Sequence, residues 1–140
     1  MAKIHRIPLA LRAAYLSMHR LTNSLLLPHG VTADQFVCLV VLEEEDGITQ
    51  QEIVRRSTSD PNTVRAMLIR LEKRGLVARE KHPTDGRARH VTITTKGREL
   101  LDILVIAGRP VRELLTKELD VDETNTLHEY LIRITSRLQK

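Results

Sequence analysis

Apolar residues recur through positions 5–27 as Leu9, Leu11, Ala13, Leu16, Leu21, Leu25 and Leu26, with polar and charged residues between them. That spacing predicts a long helix with one apolar stripe. Pro28-His29-Gly30 stops it. Thr32-Ala33-Asp34-Gln35 then has the form of a capping box, in which a threonine hydroxyl and a glutamine side chain satisfy each other's free backbone N–H groups. The next helix, expected over 36–45, is apolar at seven consecutive positions from Phe36 to Leu42. A helix that is apolar on every side is expected to be buried nearly all round. Asp46-Gly47 ends it.

Thr49-Gln50-Gln51-Glu52 repeats the capping-box pattern and predicts a short helix to about position 57. Ile53 and Val54 are its apolar contacts. Asp60 is placed to cap the following helix and Pro61 fits a first helical position. That helix, over 61–74, keeps Val64, Met67, Leu68 and Leu71 on one face, and Gly75 can close it in the left-handed conformation. Two strands are expected next, over 76–81 and 90–94. The second alternates Val91 and Ile93 with Thr92 and Thr94. After Thr95-Lys96-Gly97 a helix runs to Ala107, Gly108 and Pro110 break it, and it resumes toward Leu119. Asp120 with Glu123 predicts another cap, and Leu127, Leu131, Ile134 and Leu138 form the stripe of a last helix.

Helix, turn, helix, hairpin is the order of a winged helix-turn-helix. The expected fold is therefore mainly α with a small β-hairpin wing, an α+β chain whose N- and C-terminal helices dimerise. Residues 31–95 would form the winged unit; 1–30 and 96–140 would form the helical dimerisation region. Dimerisation also follows from packing, because a 140-residue chain has little else to cover its first helix and its C-terminal stripe. A monomer with a self-contained helical cap is the alternative.

Composition narrows the picture. Hydrophobic residues make up 41% and aromatics 2%, so the core must be built from Leu, Ile and Val. The longest apolar runs are far too short to span a bilayer. Arg12 interrupts the apolar start and no small-residue cleavage site follows, so no signal peptide is expected. One cysteine permits no internal disulfide, which is compatible with a cytoplasmic location. Charge is unevenly spread. Residues 48–98 hold 12 Lys and Arg against 5 Asp and Glu, an excess of +7, whereas the remainder holds 10 against 13. A basic centre with acidic flanks fits a localised surface for a polyanion, although a solvated helix face gives the same count.

The helix over 61–74 would be the one that enters a major groove, its N-terminal residues meeting base edges. Asn62, Thr63 and Ala66 lie on its polar face, with Arg65 and Arg70 near them. Asparagine can pair with adenine, arginine with guanine, and threonine or alanine methyls with the thymine methyl. Thr49 and Gln50 begin a helix whose free N–H groups suit a phosphate. The stretch HPTDGRARHVTIT carries the wing. Pro83-Thr84-Asp85-Gly86 has tight-turn composition. Arg87 can enter a minor groove, Asp85 can orient its fork, and Lys81 and Arg89 suit phosphates. The plainer reading is a solvated turn with an incidental ion pair, worth little energetically.

Residues 30–100 resemble the MarR family of bacterial transcriptional regulators. The resemblance rests on LEKRGLV at 71–77, the D-G-R tip at 85–87 and the T-T-K-G-R step at 94–98. It implies a homodimer with two winged units on a pseudo-palindromic double-stranded operator, Arg87 in the minor groove and Asp85 bracing it. It also implies repression relieved by a small aromatic effector or, in some members, by cysteine oxidation. Asp60-Pro61 and Gly108-Arg109-Pro110 depart from the usual pattern.

Arg12, Tyr15, His19 and Phe36 are the candidate effector-lining residues, Arg12 being able to meet a carboxylate. Ordinary packing and surface roles explain them equally well. Cys38 lies within the apolar run and reads as an inert core thiol rather than a redox sensor. His5, His82, His90 and His128 lack metal-ligand spacing, and no cofactor is expected. No Gly-rich phosphate loop and no nucleophile with an evident base point to an enzyme. The rival reading is a winged-helix protein-binding module, which would have no need of a basic recognition face.

Overall fold

The computed structural model describes residues 2–81 and 89–139. The expected wing tip at 82–88, with Asp85 and Arg87, lies outside the described residues. Helix α1, Ile7–Leu26, is preceded by a 3-10 turn, Ile4–Arg6, and followed by another, Leu27–His29. Gly30 ends the run at φ 71°, the left-handed region that glycine enters without a Cβ penalty.

Helix α2 spans Ala33–Glu44 and starts three residues earlier than expected. Thr32 is its cap, so Ala33 is already helical. The box is complete, with Gln35 N–H donating to Thr32 Oγ1 at 3.1 Å and Thr32 N–H donating to Gln35 Oε1 at 3.0 Å. Asn23 of α1 adds a second cap, its Oδ1 accepting Ala33 N–H at 2.7 Å. Burial of α2 is not all round, contrary to the expectation from its apolar run. Cys38, Leu39, Val41 and Leu42 are buried, but Val37 is 40% exposed and borders an open groove beside Tyr15.

Strand β1 is Ile48–Thr49, β2 is Val77–Lys81 and β3 is Arg89–Ile93. They form an antiparallel sheet in the order β1-β3-β2. Val77 pairs with Ile93 and Lys81 with Arg89, so each expected hairpin strand sits within one residue of its place. The third strand was not expected. Two residues are too few to show alternation, and β1 exists because Ile48 pairs with Val91 while Gly47 N–H donates to the Val91 carbonyl at 3.0 Å.

Helices α3, Gln50–Ser57, and α4, Pro61–Lys73, form the helix-turn-helix. Thr49 caps α3, but the reciprocal half of the expected box is missing. The Glu52 carboxylate is taken instead by Arg55 and Arg56. Helix α5 is Thr95–Ala107, α6 is Arg109–Glu118 and α7 is Val121–Leu138. The break at Gly108 and the Asp120–Glu123 box are as the sequence predicts.

The chain packs as two units, 1–107 and 108–140. The first holds the core: Leu26, Leu39, Leu42, Ile53, Val64, Leu68, Leu71, Leu76, Val91 and Leu104 are all fully buried or within 1% of it. The second consists of α6 and α7 and buries no residue among those described. The structure is thus a mainly helical winged helix-turn-helix. No single helix among the described residues is long and apolar enough to cross a membrane.

Candidate nucleic-acid interface

Helix α4 owes its placement to its two faces. Val64, Met67, Leu68 and Leu71 sink into the core, which turns Asn62, Thr63, Arg65, Ala66 and Arg70 outward, all exposed. Asp60 caps it, accepting Thr63 N–H at 2.9 Å and the Thr63 hydroxyl at 2.6 Å. These bonds, the hydroxyl first, hold the Asp60 carboxyl below its ordinary range. The N-terminus of α4 is therefore already occupied by a carboxylate, and the Thr63 hydroxyl proton is spent on it. Thr63 can offer a groove its methyl and an oxygen lone pair.

Thr49 and Gln50 are half-buried at the start of α3. The Thr49 hydroxyl accepts Glu52 N–H at 3.1 Å. Lys81 is exposed at the end of β2, opposite Arg89 at the start of β3. Asp85 and Arg87 belong to the stretch outside the described residues.

Partner accounting separates the basic residues of the chain's centre. Arg55 and Arg56 are both bonded to Glu52, and Arg56 also to Glu45. Arg55, then Arg56, lowers the Glu52 carboxyl to about 2. Arg79 meets Glu72 at 2.9 Å, and Arg98 meets Glu43 at 2.9 Å and Asp46 at 3.1 Å. Those last pairs offset a local conflict, because Glu43, Glu44, Glu45 and Asp46 crowd the C-terminus of α2, where the helix dipole disfavours negative charge. Arg74 and Lys96 are hydrogen-bonded to backbone carbonyls. By contrast, Arg65, Arg70, Lys73 and Lys81 have no carboxylate partner among the described residues. Among the described basic residues of the centre, those without a carboxylate partner thus lie on the outer side of α4 and at Lys81. Lys73 was not anticipated from the sequence, although its spacing of seven from Ala66 puts it on the same helix face.

The candidate effector residues are not gathered in one place. A cavity of about 540 Å³ lies between α1, α2 and α4, lined among others by His19, Asn23, Gln35, Met67 and Arg70. Tyr15 lines a second, of about 390 Å³, with Val37, Ser57 and Met67. Arg12 and Phe36 line neither. Tyr15 and His19 stack at 5.5 Å between ring centroids. Cys38 is fully buried, and burial, with Asp34 adding to it, pushes its thiol up to about 12. No group of three or more His, Cys, Asp or Glu able to hold a metal occurs among the described residues.

The MarR family model matches residues 31–88. Transcriptional regulator HosA of Escherichia coli O111:H- is 32% identical over 93 residues, covering 66% of this chain and 69% of that protein. An HTH-type transcriptional repressor of Mycobacterium tuberculosis is 35% identical over 78 residues. That match spans 56% of this chain and only 56% of the mycobacterial protein's length. Among solved structures, a mutant MarR from E. coli complexed with operator DNA superposes with a TM-score of 0.83 at 29% identity, covering 94% of this chain and 95% of that one. The apo form of wild-type E. coli MarR gives 0.76 at 29% identity, covering 96% and 98%.

Proposed function

The chain belongs to the MarR family, and from that premise we propose that it is a sequence-specific, double-stranded-DNA-binding transcriptional repressor that acts in the cytoplasm as a homodimer. The observation that carries this reading is the partition of charge. Arg55, Arg56, Arg74, Arg79, Lys96 and Arg98 are spent on carboxylates or carbonyls, whereas the described basic residues on the outer face of α4 and Lys81 have no carboxylate partner among the described residues. Helix α4 enters the major groove with Asn62, Thr63, Arg65, Ala66 and Arg70, and Thr49 and Gln50 approach the backbone at the start of α3. Lys81 and Arg89 flank the wing, Arg87 enters the minor groove and Asp85 braces it.

A second copy covers the apolar side chains left in water. Ile4 is 69% exposed, Leu138 is 77% exposed, and Leu9, Tyr15, Leu127, Leu131 and Ile134 are all exposed as well. Exposure on that scale marks an association surface on each unit. Residues 1–30 and 96–140 would supply it, and 31–95 the DNA-binding unit. The two winged units then meet a pseudo-palindromic operator. Release by a small-molecule effector belongs to the same proposal. The 540 Å³ cavity beside His19 and Arg70 is its site, since a ligand there would touch Thr63, Ala66 and Arg70, which would otherwise meet the groove.

Genomic fragments recovered on the purified protein test this reading. One enriched inverted repeat is expected, with affinity that falls steeply as salt rises. Arg87→Ala should cost on the order of 1–3 kcal/mol of operator affinity and relax A·T preference at the wing contact. Uniform recovery of fragments would favour the protein-binding module instead, and unchanged operator binding by a folded Arg87→Ala protein would refute the wing assignment.

A further inference from the structure

Two basic residues at the end of α4 have a use that neither the outer face nor the ion pairs explain. Arg74, the residue that follows α4, donates from Nη1 to the Gly30 carbonyl at 2.7 Å and from Nη2 to the His29 carbonyl at 3.3 Å. Those carbonyls close the turn after α1. Lys96, in the first turn of α5, donates from Nζ to the Arg74 carbonyl at 2.8 Å. Beside it the Thr94 hydroxyl donates to the Gly75 carbonyl at 2.6 Å and accepts Gly97 N–H at 3.0 Å.

The C-terminal end of α4 is therefore held from two directions. The N–H groups of Arg74, Leu76 and Gly75 already meet the carbonyls of Arg70, Leu71 and Glu72, and the Arg74 carbonyl beyond them lies at the negative end of the helix dipole, so a cation set against it is stabilising. What is unusual is the source of the cations. Lys96 comes from α5 and grips α4, while Arg74 leaves α4 and grips the end of α1. A planar guanidinium can hold two carbonyls at once in a fixed geometry, which a flexible ammonium cannot. Both side chains span different helices, whereas caps that served α4 alone could come from its own last turn.

We propose that Arg74 and Lys96 are positioning residues for DNA recognition, fixing the pitch of α4 against α1 and α5. In a dimer built on the terminal helices, that pitch sets the distance between the two recognition helices, and hence the half-site spacing the protein accepts. The proposal rests on the reading of the chain as a dimeric DNA-binding regulator.

The test uses the full chain and its recovered operator, with one base pair removed from or added between the half-sites. The double variant Arg74→Met, Lys96→Met should lose roughly 2- to 30-fold in affinity at the best spacing. Its affinity across the three spacings should flatten, while binding to non-specific DNA stays unchanged. Lys96→Arg should keep the wild-type spacing profile. A double variant with the wild-type profile overturns the proposal. So does an equal loss on specific and non-specific DNA with a shallower salt dependence, which would make the two residues phosphate contacts. Should the double variant not fold, Arg74→Met and Lys96→Met singly decide by the same profile. Wild-type protein that selects no operator refutes the DNA-binding reading itself, which distinguishes that failure from a failure of the positioning role alone.

Discussion

Gly97→Ala sets two opposed effects against each other. Gly97 lies in the first turn of α5, so alanine should gain about 1 kcal/mol of intrinsic helix propensity. The space forbids it. A Cβ there would stand 2.2 Å from the Leu76 carbonyl oxygen, 2.8 Å from Ile93 Cγ1 and 3.1 Å from the Leu76 carbonyl carbon. Carbon–oxygen contacts settle at about 3.3 Å or beyond, so backbone must move by about 1 Å. Leu76 cannot swing away, because its side chain is buried and its carbonyl accepts Thr94 N–H at 3.1 Å. Overpacking of this kind costs about 1–3 kcal/mol. Separating Thr94 from Leu76 and Gly75 removes two hydrogen bonds worth about 1 kcal/mol each. Net of propensity, the variant should lose about 2–4 kcal/mol. With a urea slope of about 1–3 kcal/mol per molar, the unfolding midpoint should fall by about 1 M or more. A variant as stable as the wild type would show that α5 does not approach the α4–β2 turn this closely.

Other consequences are equally open to measurement. Thr58 closes α3 at φ 52°, a left-handed conformation that costs a β-branched residue about 1–2 kcal/mol. Thr58→Gly should therefore raise thermal stability by about 0.5–1 kcal/mol after glycine's greater unfolded-state entropy, and a lowered midpoint would contradict the strain. Glu52 is depressed from 4.5 to about 2, so its contribution is present above pH 4.5 and is lost as pH falls toward 2. Urea midpoints of Glu52→Gln should accordingly vary less across that window than those of the wild type; parallel curves would exclude the Arg55 and Arg56 bonds as the cause. Cys38, raised to about 12, should resist iodoacetamide at pH 8 until the protein unfolds. Rapid labelling of the native state, or peroxide-induced loss of operator binding that Cys38→Ser abolishes, would restore a redox role.

Most of the local elements were legible because their signals are local. Caps at Thr32, Asp60 and Asp120, the stop at Gly75 and the break at Gly108 each depend on a few neighbouring residues. The core face of α4 was legible from spacing alone. The second box at Thr49 failed for a reason outside its own four residues. Glu52 has two arginines within reach, and a carboxylate between two guanidinium groups makes stronger bonds than it would to its own helix's N–H. Strand β1 escaped notice because its two residues exist as a strand only against β3. The exposure of Val37 escaped it too, because seven apolar residues in a row say nothing about which neighbours arrive to cover them.

Charge shows the same division. Composition and spacing determined that residues 48–98 are basic, that α4 has a polar face, and that a helix-turn-helix and hairpin follow one another. Only the tertiary structure decided which of those charges remain available. It joined Arg98 to Glu43 and Asp46 across some fifty positions of chain, and Arg74 to Gly30 across 44. Contacts between distant positions leave no periodicity in a sequence. They form when packing of the apolar faces brings two helix ends together, and the sites they leave unneutralised are the ones where a polyanion can bind.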